Sequence, residues 1–593
     1  MHNPRLHRWP TLESTAGLLI FAQRLEELLF DYTLDSYKAP ALNTYTRCSE
    51  LLATVTDVRS GLIRAKTLKP IVDELADSVS NDSAAKVLAA PHALDFGRGA
   101  WWHADDVGRL RAQAELLRSR LWKRAYEREI VRQLGTAVAE PKEKELITQL
   151  TSNLAVEWIR QGFSRDFIFM KTRVFFFGFG PPITSVKSLD QFIAVFDSRD
   201  QSFDVCLRTH ASLLSLAPAI PAEIATITAE APSSRSDDSR EKAFLGEAHT
   251  GAYAVFPEIK AHDAVSARDQ ALRIMNNLSA AASYHVHRTP FLVEPPALVW
   301  RGNHSTVLRG PRLPLHKHDE CSLGELPAKF SSTIVALAPR RGGQEAWERI
   351  RAALALHASA VASQDIPVQL TTLWSALEAI VPSALDEARI DTLCDVLGAV
   401  LSRGYATKLF SDLDATLLRC IPKSYRSSLE KIGSSDGGAE ACASIVTVVG
   451  ATDVRDALFA TTGRNPLLRF RIFSLQKAFR HGAASLATIQ AHEQRVRWHL
   501  RRIYRTRNLI VHAGRSVRFR EALVENAHSY LHHVINSLER LYSASPYPTD
   551  LDSAFLSLQM EHARHKWWLK EHEGDPCTVQ NLKQLVFGDN LPN

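Results

Sequence analysis

The chain has 593 residues, of which 45% are hydrophobic, so it is long enough for several domains with sizeable cores. Its formal net charge of +6 permits a polyanionic partner without requiring one. The seven cysteines form no C-x-x-C pair, which argues against a cysteine zinc site or a disulfide framework and favours a reducing cytoplasm.

Residues 1–160 are predicted to be helical. They begin without the apolar segment of a signal peptide, so we expect no export. Apolar residues recur at helical spacing in three segments: Leu18–Phe30, Thr44–Leu75 and Asp105–Leu134.

Residues 161–320 are predicted to form a small α/β module. Its most apolar stretch, FIFMKTRVFFFGFGPP from Phe167, is interrupted by Lys171 and Arg173, which favours a buried strand over a membrane span. A second predicted strand begins at Phe203, and a strand, a helix and a strand follow a polar loop. The module has no Gly-rich phosphate-binding loop, so we expect it to serve as a scaffold or as a sensor of a partner.

The remainder is predicted to be a helical domain, residues 325–545, followed by a tail, residues 546–593. The helical patterns cover Ala346–Ser363, Val368–Val381, Asp391–Ser402, Pro466–Phe479, Leu486–Ala513 and Arg520–Tyr542. The expected fold class is therefore a multidomain, mainly α protein, with a helical N-terminal region, a small α/β middle module and a C-terminal all-α bundle.

The segment Leu486–Ala513 carries an arginine where its apolar stripe calls for a core residue. The stripe comprises Val496, Leu500, Ile503 and Ile510. The helical repeat calls for another apolar residue between Ile503 and Ile510, and that position is occupied by Arg507. His512 follows in the last turn, and Gly514 is well placed to end the helix.

Arg507, Asn508 and His512 suit the cleavage of RNA. A histidine can act as general acid or base near neutral pH, and an arginine can hold a phosphate through two parallel hydrogen bonds. Asn508 can orient a neighbouring side chain or contact the phosphate. The 2′-hydroxyl of RNA supplies the nucleophile, so the chemistry needs neither a metal nor a cofactor. Six arginines between residues 495 and 508 provide a positive field, and Tyr504, Arg501 and Arg505 are the candidate RNA contacts.

A structural interpretation of the same residues stays open. Arg507 can be a buried arginine paired with a carboxylate, and His512 a C-terminal helix cap. Glu378 falls within the apolar stripe of the predicted helix Gln369–Pro382, and burying a glutamate is costly unless it is paired. We therefore expect Glu378 to face Arg507 or His512, an arrangement that fits a structural bridge and a catalytic site equally.

Two motifs resemble the HEPN superfamily, most closely the Apea-like HEPN domains of bacterial anti-phage defence proteins. They are Y-x-x-R-N-x-I-V-H-x-G at Tyr504–Gly514 and L-W-S-A-L-E-A-I at Leu373–Ile380. The resemblance covers residues 325–545. It implies a metal-independent endoribonuclease with Arg507, Asn508 and His512 as catalytic residues and Glu378 as a weaker addition.

The resemblance also implies a homodimer in which two copies of the motif share one cleft. The implied products carry a 2′,3′-cyclic phosphate and a 5′-hydroxyl. The implied setting is abortive infection, with cleavage of tRNA or other cellular or phage RNA and a phage-derived trigger acting on the N-terminal half. The alternatives are a non-catalytic HEPN module that dimerises or binds a nucleotide or RNA, and a toxin paired with a nucleotidyltransferase antitoxin.

Overall fold

The chain forms two compact units in a computed structural model. We call residues 9–153 with 314–593 the helical unit, and residues 6–8 with 154–313 the sheet unit. The described residues are 6–10, 14–122, 124–140, 142–196, 200–247, 249–287, 293–311, 313–316, 324–338, 343–382, 389–515, 520–544 and 550–588. Helices predominate in them and the strands form one small sheet, which confirms the expected fold class.

Helices follow one another from residue 16 to residue 161. They are α1 (Ala16–Leu29), α2 (Thr44–Arg59), α3 (Leu68–Ser80), α4 (Ser83–Ala89), α5 (Ala93–Phe96), α6 (Val107–Arg120), α7 (Ala125–Ala137) and α8 (Lys144–Gln161). A capping box starts α2, because the Asn43 side chain accepts from the backbone of Thr46 while the Thr46 side chain accepts from the backbone of Asn43. The predicted segment Thr44–Leu75 is thus two helices, α2 and α3.

An antiparallel sheet and four further helices follow along the chain. They are α9 (Arg165–Thr172), α10 (Ser188–Ile193), β1 (Gln201–Thr209), β2 (Thr226–Thr228), α11 (Ser239–Gly246), β3 (Ala252–Ala261), α12 (Ala264–His285), β4 (Val293–Arg301) and β5 (His304–Leu308). The strand order is β2-β3-β1-β4-β5. Apolar side chains of α12, among them Ala271 and Met275, pack against one face of this sheet.

The predicted strand at Phe167 is wrong, because this stretch is α9 followed by a π-helical turn, Arg173–Phe177. Ser164 caps α9 by accepting from the backbone N–H of Phe167. The ring of Phe176 packs on that of Phe192 in α10, with 4.7 Å between centroids. Aromatic packing within the sheet unit thus overrides the β propensity of the segment.

The C-terminal part of the chain completes the helical unit. Its helices are α13 (Leu326–Leu337), α14 (Gln344–Ala362), α15 (Ile366–Ile380), α16 (Arg389–Arg403), α17 (Tyr405–Cys420), α18 (Pro422–Lys431), α19 (Ala439–Thr447), α20 (Thr452–Thr461), α21 (Pro466–Ala478), α22 (Gly482–Ala513), α23 (Arg520–Ala544) and α24 (Leu551–Glu571). One core joins α14, α15, α16, α22, α23 and α24. Across the described part of the chain, no helix combines the length and apolarity needed to cross a bilayer.

Candidate active site at the end of helix α22

The long helix α22 presents the candidate residues in its last two turns. The His481 side chain caps its start by accepting from the backbone N–H of Ala484. Gly514 ends it in the left-handed conformation, with φ +58°, and donates its backbone N–H to the carbonyl oxygen of Leu509. The predicted helix and its terminating glycine are both confirmed.

The buried face of α22 follows the predicted stripe. Val496, Leu500 and Ile503 lie in the core, and Ile510 packs against it while partly buried. Arg507 continues this stripe, but its side chain keeps 24% of its surface exposed. The guanidinium therefore lies at the edge of the core, where α22 approaches α15.

Arg507 makes one short contact and one long contact. Its Nη1 donates to Oδ1 of Asn508 at 3.0 Å. Its Nη2 lies 3.9 Å from Oε2 of Glu378, which confirms that Glu378 faces Arg507 but leaves the two groups beyond hydrogen-bond distance. Within the described part of the chain, its buried Nε has no hydrogen-bond partner. An unsatisfied buried donor costs about 1–3 kcal/mol, so Arg507 is not optimised as a structural ion pair.

His512 and Tyr504 flank this cluster differently. His512 is exposed in the last turn and forms no hydrogen bond or ion pair among the described residues. Tyr504 is partly buried, and its ring packs on that of Trp374 with 5.7 Å between centroids. The structure thus brings Glu378, Arg507 and Asn508 together, whereas the imidazole of His512 lies exposed and has no partner among the residues that the structure describes.

The two arginines predicted to contact RNA are already engaged within the protein. Arg501 donates to Asp391 at 2.8 Å. Arg505 is buried and paired with Glu50 of α2, so its guanidinium faces the interior. These contacts favour a structural role for Arg505 and leave Arg501 only partly available.

A buried ion network missed by the sequence analysis lies one turn earlier. Arg502 donates from Nε to Oε1 of Glu50 at 2.9 Å and also pairs with Glu74 of α3. Burial opposes ionisation of Glu74, but the guanidinium groups of Arg502 and Arg47 nevertheless lower the pKa of this carboxyl to about 2. The available signal was a glutamate inside the apolar phase of α3, the same signal that pointed to Glu378.

The positive field predicted for α22 is largely neutralised. Of the six arginines between residues 495 and 508, five have carboxylate partners. A cavity of about 100 Å³ opens beside Arg501 and Tyr504 and is also lined by Lys66 and Trp498. Ligand pockets usually measure about 300–1,000 Å³, so this cavity is too small to hold a drug-sized ligand.

Comparisons with protein-family models, curated proteins and solved structures gave no match to this chain. The resemblance to HEPN domains therefore rests on the residues of α15 and α22 themselves. Their geometry defines the class of site: an arginine at the edge of a helical core, an asparagine bonded to it and an exposed histidine at the helix end.

Proposed function

We propose that this protein is a metal-independent endoribonuclease of the HEPN type. The observation that carries the proposal is the state of Arg507, which has a long contact to Glu378 and a buried Nε with no hydrogen-bond partner among the described residues. A phosphate oxygen can bind more closely to this guanidinium than the carboxylate does. Asn508 holds the guanidinium through its Oδ1, which fixes the direction from which a phosphate approaches.

The proposed reaction uses the nucleophile of the RNA. His512 removes the proton from a 2′-hydroxyl, and the 2′-oxygen attacks the adjacent phosphorus while Arg507 stabilises the charge that develops on the phosphate. The bond from phosphorus to the 5′-oxygen breaks, and a protonated histidine donates a proton to that oxygen. The products are a 2′,3′-cyclic phosphate and a 5′-hydroxyl.

A second copy of the chain supplies the acid in this proposal. One His512 cannot be the base and the acid of the same step, and its surface position suits a cleft shared by two α22 helices. The homodimer, the use of tRNA or other RNA as substrate, and abortive infection as the setting follow from the resemblance to HEPN proteins. The sheet unit is then the candidate site for a phage-derived trigger.

The catalytic claim is tested by measuring cleavage of tRNA, and of total RNA from phage-infected cells, in the presence of EDTA. We expect His512→Ala and Arg507→Ala to lower the rate by about 100-fold or more. Arg495→Ala removes a charge from an exposed position on the same helix and serves as the matched control, with a rate within about twofold of wild type. Equal rates for wild type and His512→Ala in every activated condition would refute the proposal.

The engaged arginines favour one alternative, a non-catalytic HEPN bundle that dimerises or binds a nucleotide or RNA. Five of the six arginines on this part of α22 have carboxylate partners. Such pairing is what we expect of a helix whose role is only structural. This alternative predicts that Arg507→Ala impairs folding or dimerisation. It also predicts that the wild type cleaves no RNA.

A further inference from the structure

Three histidine rings of the helical unit converge in a cluster that includes no residue of the Arg507 site. His357 belongs to α14, whereas His528 and His532 lie four residues apart on α23 and so share one face of that helix. One ligand nitrogen from each ring lies within 4.8 Å of the other two. All three residues are half-buried.

The distances match those between the nitrogens around a single metal ion. His357 Nε2 is 3.0 Å from His528 Nε2 and 3.2 Å from His532 Nε2. Zinc binds histidine nitrogen at about 2.0–2.1 Å, which spaces neighbouring ligands of a tetrahedral ion about 3.3 Å apart. The cluster needs only small ring shifts to reach that spacing.

Hydrogen bonding between the rings accounts poorly for this arrangement. A neutral imidazole Nε2 carries either one proton or one lone pair. His357 Nε2 therefore cannot bond well to both of its neighbours at the same time. A cation placed among the three nitrogens accepts a lone pair from each of them and satisfies all the close approaches together.

We propose that His357, His528 and His532 bind a divalent transition-metal ion, with Zn²⁺ as the leading candidate. Imidazole ligands suit Zn²⁺, Cu²⁺, Ni²⁺ or iron, whereas Mg²⁺ and Ca²⁺ prefer oxygen. No carboxylate or thiol among the described residues joins the three nitrogens. Three protein ligands leave a fourth position for water or an exogenous ligand, as in catalytic zinc sites.

The surrounding structure can hold such a site rigidly. Buried side chains next to the histidines, such as Ala360 on α14 and Ala527 and Leu531 on α23, belong to the common core of the helical unit. Both helices also pack against α15. The rings thus project from a packed edge, and a bound ion ties α14 to α23.

Binding is tested on the full-length protein after removal of metal by a chelator. We expect Co²⁺ to bind one per chain with the intense visible absorption of a low-symmetry site, and Zn²⁺ to displace it. His357→Ala and His528→Ala should each weaken binding by at least about 100-fold. His512→Ala, which removes an exposed histidine from the same unit, should bind Co²⁺ like wild type.

Two further measurements guard against loss of the fold. Zn²⁺ should raise the Tm of wild type and not that of His528→Asn, a smaller change whose folding is checked by circular dichroism. X-ray absorption of the zinc-bound wild type should show three imidazole ligands. The proposal is overturned if wild type binds neither Co²⁺ nor Zn²⁺ stoichiometrically, if the variants bind as tightly as wild type, or if the spectrum lacks imidazole.

The metal site and the proposed ribonuclease share no residue and can fail separately. The ribonuclease proposal expects chelated wild type and His528→Asn to cleave RNA alike. Suppose that the chelator abolishes cleavage by wild type while His528→Asn cleaves RNA without the chelator. The metal-free mechanism is then refuted, because cleavage needs a metal bound elsewhere, and the histidine site is judged by the binding measurements alone.

Discussion

Arg502 and Arg507 lie five residues apart on α22, and their carboxylate partners hold them very differently. Arg502 is almost fully buried and bonds to two glutamates, one of them at 2.9 Å. Arg507 keeps about a quarter of its side chain exposed, and its nearest carboxylate within the described part of the chain is 3.9 Å away. We infer that the first arginine stabilises the fold, whereas the second is available to a ligand.

This difference predicts unequal losses of stability. Arg502→Met leaves Glu74 buried without its main cation, and we expect the free energy of unfolding to fall by about 3–5 kcal/mol. Arg507→Met removes a partly exposed pair at long distance and should cost about 1 kcal/mol or less. Urea denaturation of both variants measures the difference. Similar losses would show that Arg507 is also structural, as the alternative function requires.

Acid should destabilise the helical unit in two steps. Burial, followed by the charge of Arg502, lowers the pKa of His499 on α22 to about 4. The folded state therefore binds fewer protons than the unfolded state between about pH 6.5 and 4, so stability falls as the pH falls through this window. The pKa of Glu74 is about 2 in the folded state and 4.5 in the unfolded state, so stability falls a second time as the pH falls from about 4.5 to 2.

Urea denaturation at a series of pH values checks this dependence. His499→Gln has no imidazole to protonate, so its stability should fall less steeply than that of wild type between pH 6.5 and 4. The two slopes should differ by up to about 1.4 kcal/mol per pH unit, the value for one proton. Two other histidines, His492 and His533, also have pKa values lowered by desolvation, so they keep part of the slope in the variant. An unchanged slope in His499→Gln would contradict the assignment.

Part of the candidate site could be predicted at the level of single residues. An arginine and a glutamate that interrupt two apolar stripes suggested each other as partners, and Glu378 does face Arg507. The engagement of Arg505 could not be predicted, because its partner Glu50 lies 455 residues away along the chain. Helical periodicity identifies which face of a helix is buried but not which distant helix covers it.

At the scale of the element, the end of α22 determines where His512 stands. Gly514 adopts φ +58°, and a Cβ added there meets no atom of the described residues within 4 Å. Gly514→Ala therefore introduces backbone strain without a clash and should cost about 1 kcal/mol. Because His512 is only two residues earlier, we expect fraying of the last turn to lower RNA cleavage by more than this loss of stability alone explains.

A matched glycine separates these two effects. Gly433 has φ +76° and equally open surroundings, but it lies in the loop after α18. Gly433→Ala should lose similar stability and keep full cleavage activity. Cleavage rates at equal folded fraction make the comparison, and equal activity of the two variants would exclude a special role for the end of α22.

Contacts of this one element also explain why the strand predicted at Phe167 is a helix. Its phenylalanines favour a strand locally, but Ser164 caps a helix there by accepting from the backbone N–H of Phe167. The Oγ of Ser164 also donates to Asp263 at 3.0 Å, which fixes the start of this helix. The ring of Phe163, just before the helix, also stacks on that of Phe167 in its first turn, with 5.9 Å between centroids. A contact with a residue distant in the sequence, Asp263, favours the helix, and the local sequence pattern carries no information about that contact.

At the scale of the whole molecule, the helical unit is assembled from both ends of the sequence. Arg471 of α21 pairs with Glu27 of α1, and Arg502 of α22 pairs with Glu50 of α2. The histidine cluster joins α14 to α23 in the same way. The mainly α class followed from composition and periodicity, whereas these joins are long-range and became visible only in the folded chain. The H-x-x-x-H spacing of His528 and His532 was the one sequence signal for the cluster.

The proposed cleft needs two chains, so an inactive chain should interfere with an active one. With a ninefold excess of His512→Ala, random pairing leaves about a tenth of the wild-type chains in wild-type dimers. Cleavage per wild-type chain should fall toward that fraction, because a mixed cleft lacks one of the two histidines. Light scattering measures the dimer, and an equal mass of albumin controls for dilution and adsorption. If wild-type cleavage is unchanged by the excess, each chain acts alone, and the acid in the reaction must come from another group on the same chain.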